Sequence, residues 1–139
     1  SGKILTSDVR LRKWFSPEQI KIMREAVEDH RASSSHAPRS IYGKIVAEAD
    51  RDLEPMHIFR RTVQYGLSHY PEYSKEEQRK RFFEHLDHKY SARGYIRLWL
   101  PNSPNTENLK VIRDMINDRS TLEDIFDTLF EEEKNASED

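Results

Sequence analysis

Six histidines, His30, His36, His57, His69, His85 and His88, are the side chains of this sequence best suited to proton transfer or metal ligation near neutral pH. There is no cysteine, so thiolate metal sites, cysteine nucleophiles and disulfide frameworks are excluded. The phosphate loops GxGxxG and GxxxxGK[ST], the GxSxG elbow and the HExxH zinc motif are also absent. Whatever chemistry the chain does must come from imidazoles and carboxylates.

His30 continues the helical stripe Ile20, Met23, Val27, which turns its ring toward the interior. Two readings of it are open. It is a core histidine at a helix C-terminus, where the helix dipole favours its charged form, or it is a ligand. Its neighbours Glu28 and Asp29 are expected to face solvent. Asp50 lies four residues after Val46 and three before Leu53, which sets its carboxylate along the edge of a buried stripe. An ionised carboxylate there needs a cation, a metal or several donors. An ion pair with Arg31 or Arg39 and metal binding both satisfy that need. Asp52, one turn from Glu48, reads as part of a solvated face.

The stretch from Arg31 to Arg51 is dense in groups of this kind. It adds Ser33, Ser34, Ser35, His36, Arg39, Ser40 and Lys44 to the imidazole and the acid. Guanidinium forks and hydroxyls around them suit a phosphate held beside a divalent metal. Arg31, Arg39 and Lys44 are the candidates for neutralising its charge. The remaining clusters are plainer. His57 and Arg61 share an outward face. His85 and His88 have a spacing two helical ligands can use, but lack a third and read as a solvated pair. Lys75, Arg79, Lys80 and Arg81 are balanced by Glu76, Glu77 and Glu84. Tyr95, Arg97 and Trp99 are expected to cover the core.

The elements that must position these groups are helical. Ser16-Pro17-Glu18-Gln19 forms a capping box with proline at the first helical position, and Phe15 and Ile20 stand as a hydrophobic staple. Residues 31–39 read as a loop. A second helix over 40–53 is expected to turn Ile41, Ile45, Val46, Ala49 and Leu53 inward. A third opens at Pro55 on Phe59, Val63, Leu67 and Tyr70, and a fourth at Ser74 on Phe82, Phe83, Leu86 and Tyr90. Around Gly94 the pattern alternates as an extended stretch would, with Ile96, Leu98 and Leu100 on one side. Ser103-Pro104 starts a helix on Leu109, Ile112 and Ile116, and Ser120 with Glu123 caps the last, on Leu122, Ile125, Phe126, Leu129 and Phe130. The result is an all-α bundle of about five to six helices in one domain over 1–130. The acidic tail 131–139 is expected to be disordered. Residues 1–15 carry Ile4, Leu5, Val9, Leu11, Trp14 and Phe15 with no clear helix start. They fit either a short first helix or the middle of a larger fold.

Composition narrows the function. The 139 residues hold 23 Lys plus Arg against 25 Asp plus Glu, a formal net charge of −2, which argues against a general nucleic-acid or anionic-membrane binder. No apolar run approaches the roughly 18 residues of a membrane span, and the start is not a signal peptide. A soluble, cytoplasmic domain is expected. Two tryptophans, six tyrosines and six phenylalanines argue against wholesale disorder.

At EDHRAS (Glu28 to Ser33) and SIYGKIVAEADRD (Ser40 to Asp52) the chain resembles the HD-domain superfamily of metal-dependent phosphohydrolases. The likeness is to a bacterial branch that continues past its last ligand as a helical extension. The resemblance implies a helical bundle, a divalent metal, and a phosphorylated small molecule or nucleotide as substrate. It maps the family's final aspartate to Asp50 and one of its later histidines to His30, as metal ligands and catalytic groups. The family's first histidine and its His-Asp pair have no counterpart here, since only the reversed order occurs, at Asp29-His30 and Asp87-His88. The sequence reads as the C-terminal portion of such a protein, with an incomplete metal site and weak or no activity by itself. The competing expectation is a non-catalytic helical interaction module, with a homodimer through an exposed apolar face. A nucleic-acid surface on Arg60, Arg61, Lys75, Arg79, Lys80 and Arg81 is the least favoured, given the net charge.

Overall fold

Serines, prolines and acids set where the helices begin. Ser16 Oγ accepts the Gln19 N–H at 3.2 Å while Gln19 Oε1 accepts the Ser16 N–H at 2.9 Å, the reciprocal box read from the sequence. Ser40 Oγ accepts from Gly43 N and Ser74 Oγ from Glu77 N. The Glu54 carboxylate takes the Met56 and His57 N–H groups ahead of Pro55. The computed structural model describes residues 2–31 and 33–138. Its α-helices are α1 (Gly2–Ser7), α2 (Pro17–Asp29), α3 (Ile41–Asp50), α4 (Pro55–His69), α5 (Lys75–Tyr90), α6 (Pro104–Asn117) and α7 (Arg119–Glu138), with a 3-10 turn at Leu11–Lys13. The chain is all-α, with no strand among the described residues. The alternating stretch after Gly94 is irregular backbone that buries Ile96. No helix among them is long and apolar enough to cross a membrane.

The chain groups into two compact units. One holds residues 1–51 with 96–103, the other 52–95 with 104–139. In the first, α1 and α3 pack on α2. The face of α3 that meets α2 differs from the expected one. Gly43, Ala47 and Glu48 are buried, whereas Ile41, Ile45, Val46 and Ala49 are exposed. The reason is size. A methyl group on Gly43 would stand 3.1 Å from Pro38 Cβ and 3.6 Å from Ala26 Cα, so only small residues fit this close approach, and the large aliphatics lie elsewhere on the helix. Of the two readings of the N-terminal stretch, the short first helix is present as α1, and Trp14 beyond it is 80% exposed.

In the second unit α4, α5, α6 and α7 close around Phe59, Phe82 and Phe126. Phe82 touches both of the other rings, with centroids 6.1 and 5.2 Å away. The stripes read from the sequence supply most of the buried residues of these helices; Leu67, Tyr70, Ile116 and Ile125 are half-buried, and Ile58, Thr62, Gly66 and Gln78 are buried beside them. Two further details depart from that reading. The cap of α7 is Asp118, whose carboxylate takes the Thr121 N–H and hydroxyl, rather than Ser120. The acidic segment 131–138, expected to be disordered, continues α7, because Arg60 binds Glu132 at 2.8 Å and Glu133 at 2.6 Å. Asp139 lies outside the described residues. The basic run of α5 is likewise structural: Arg79 reaches Asp127 at 2.8 Å, Lys75 reaches Glu131 at 3.2 Å, and Arg81 donates to the Thr62 carbonyl.

Candidate functional site

His30 ends α2 as its C-cap, and Asp50 is the last residue of α3. Twenty residues apart in sequence, they meet in space, with Nε2 of the ring 3.9 Å from Oδ2 of the acid. The His30 Nδ1 contacts the carbonyl oxygen of Val27. A carbonyl only accepts, so Nδ1 carries the proton and the lone pair of the neutral ring sits on Nε2, toward Asp50. An electron-pair donor thus faces an anion. A metal cation between the two would be met by both.

The Asp50 environment differs from the expected one. Its side chain is 63% exposed, so water can satisfy it, and among the described residues neither Arg31 nor Arg39 forms an ion pair with it, although the charge of Arg51 lies near enough to be felt. The buried acid of the junction is Asp29, expected to face solvent and in fact 2% exposed. Oδ2 of Asp29 accepts the Arg39 backbone N–H at 2.9 Å and Nε–H at 3.0 Å, and Oδ1 accepts Nη2–H at 2.9 Å. These bonds from Arg39 hold the carboxyl below the ordinary aspartate range against the opposing effect of burial. The His36 Nε2 stands 3.9 Å from Asp29 Oδ1 on the exposed side.

Of the three cations expected to meet phosphate, Arg39 is committed to carboxylates. Besides Asp29 its guanidinium takes Glu28 at 3.0 Å and lies 3.9 Å from Glu25. Arg31 is exposed and Lys44 half-buried, and neither makes an ion pair among the described residues. Ala32, within EDHRAS, lies outside the described residues. Glu48 was placed on a solvated face beside Asp52. It is buried, and its Oε1 accepts the N–H groups of Trp99 and Leu100 at 2.9 Å each. The sequence carried no local signal for this contact, since the partners lie 51 and 52 residues away.

The other histidines form no second centre. His57 is exposed beside Asp52, with Nδ1 3.3 Å from Oδ2, as expected for a surface group. His85 and His88 do not make a solvated pair: His85 is half-buried and its pKa is pushed down by that burial, while His88 meets the Tyr95 ring edge-on.

Chemically, an imidazole Nε2 and a carboxylate oxygen are fitting donors for a divalent cation. Two donors on one tetrahedral ion sit about 3.4 Å apart, so the observed pair needs only a small side-chain rotation. The number of donors falls short, because no group of three or more His, Asp or Glu able to hold a metal occurs among the described residues. Protein-family models, curated proteins and solved structures give no match to this chain.

Proposed function

We propose that the junction of α2 and α3 is part of a metal-dependent phosphohydrolase centre acting on a phosphate ester or nucleotide. The observation that supports this reading is the approach of His30 Nε2 to Asp50 Oδ2 at 3.9 Å, with Nδ1 engaged by the Val27 carbonyl and the acid open to solvent. When bound, a divalent ion would polarise a phosphate ester and acidify a water. His30 and Asp50 would hold the ion, and Arg31 and Lys44 would meet phosphate charge. Two protein ligands do not hold such an ion firmly, so the reading requires further ligands from elsewhere, and the 139-residue chain by itself binds metal weakly and does not turn over robustly. The test is titration of Zn2+ and Mn2+ into the chain, followed at the His30 ring resonances. Selective perturbation of His30 that disappears in Asp50→Asn supports the site. Unchanged His30 resonances at millimolar metal sink it.

One observation favours a second reading, a non-catalytic helical interaction module. Ile41, Tyr42, Ile45 and Val46 form an uncharged stripe along the outer face of α3, and all four are exposed. Sedimentation of the wild-type chain against Ile45→Glu separates the two: an assembly abolished by the charge supports the module, whereas a metal response in a monomer supports the hydrolase.

A further inference from the structure

We propose that the Asp29–Arg39 ion pair is a positioning clamp that presents His30 Nε2 to Asp50. The inference deepens the hydrolase reading and rests on the His30–Asp50 pairing, and it assigns Arg39 a role other than phosphate binding.

Asp29 is the last residue of α2 and the covalent neighbour of His30, and Arg39 immediately precedes Ser40, the N-cap of α3. Three hydrogen bonds from one residue to a single buried carboxylate fix both the backbone and the side chain of Arg39. The end of one helix is thereby registered against the start of the next. The arginine has no charge to spare for a ligand, since Asp29, Glu28 and Glu25 all face it.

Leverage makes this register matter. α3 has ten residues and is about 15 Å long, so a swing of about 4° at its start carries Asp50 by about 1 Å. That is a large fraction of the 3.9 Å between Nε2 and Oδ2. A shift at Asp29 also moves the backbone of His30 relative to the Val27 carbonyl, which fixes the ring and its tautomer.

The experiment reads the His30 tautomer by long-range 15N–1H NMR of the whole chain at alkaline pH without metal. Wild type is expected to show the Nδ1–H form, with an unprotonated Nε2. Asp29→Asn and Arg39→Lys are expected to give a mixture in which Nε2–H gains, while circular dichroism stays helical. Glu48→Gln, which weakens the bonds from α3 to Trp99 and Leu100 and leaves the Asp29–Arg39 pair intact, is the control and is expected to keep the wild-type tautomer. An unchanged tautomer in a folded Asp29→Asn or Arg39→Lys chain overturns the clamp, and so does an equal change in Glu48→Gln. The readout needs no metal. A chain that ignores Zn2+ but shows the tautomer change therefore removes the hydrolase reading and leaves the clamp standing.

Discussion

Glu48 accepts the backbone N–H of Trp99 at 2.9 Å, and the same oxygen takes the N–H of Leu100. A buried acid on α3 thus supplies hydrogen bonds that an irregular segment cannot make for itself. Glu48→Ala is expected to cost about 2 kcal/mol, the penalty for leaving buried donors unpaired. Amide exchange checks it: protection at Trp99 and Leu100 should fall before that of α2.

Asp29 makes the first unit acid-sensitive. Its carboxyl is held below the ordinary aspartate value near 4 by Arg39, so the unfolded chain takes up this proton before the folded one does. The stabilisation is present above about pH 4 and is lost as pH falls through the lower, folded value. Urea midpoints measured from neutral pH downward should drop in wild type and stay flatter in Asp29→Asn. At neutral pH, Arg39→Ala leaves a buried anion without its partner. The neutral-pH urea midpoint should therefore fall below that of wild type, by less than for a pair buried on both sides because Arg39 is itself partly exposed.

Tyr90 sets an alkaline limit in the second unit. Burial pushes its phenol up to about 12. The folded state keeps this proton where the unfolded chain has released it, so stability declines as pH rises from about 10 toward 12. Absorbance of the phenolate at alkaline pH should show a last-titrating tyrosine that Tyr90→Phe removes, Tyr95 being raised by burial as well, and the variant should lose the matching part of the pH dependence.

Phe82 is fully buried between Phe59 and Phe126. Phe82→Ala is expected to cost about 3–5 kcal/mol through lost contacts and a cavity. Val111→Ala, on the exposed side of α6, is expected to stay within about 0.5 kcal/mol. Thermal unfolding of the two variants measures the contrast.

What could be read from the sequence followed from local physics. Ser16, Ser40 and Ser74 announced helix starts because a hydroxyl three residues ahead of an amide caps it wherever the rest of the chain goes. The phenylalanine stripes of α4, α5 and α7 were legible for the same reason: large rings at helical spacing have one place to go. The pairing of His30 with Asp50 was implied by the family resemblance and not by helical faces, since the face of α3 expected to turn inward is exposed. The buried face of α3 did not, because periodicity weighs side chains by hydrophobicity, and Gly43 and Ala47 win their place by being small. Asp29 and Glu48 were misjudged together. Each carries a charge that a helical wheel assigns to water, and each is buried because distant backbone amides need an acceptor. The acidic run at the end of α7 looked disordered because its counter-charges, Arg60 and Lys75, lie more than fifty residues upstream.

The seam at Gly43 gives the junction its dimensions. Where that residue passes Pro38 and Ala26, a methyl group would already press on the proline at 3.1 Å. The reach between imidazole and acid is therefore governed at a position that carries no functional group. A variant enlarged there would keep every reactive side chain and still hold them at the wrong spacing.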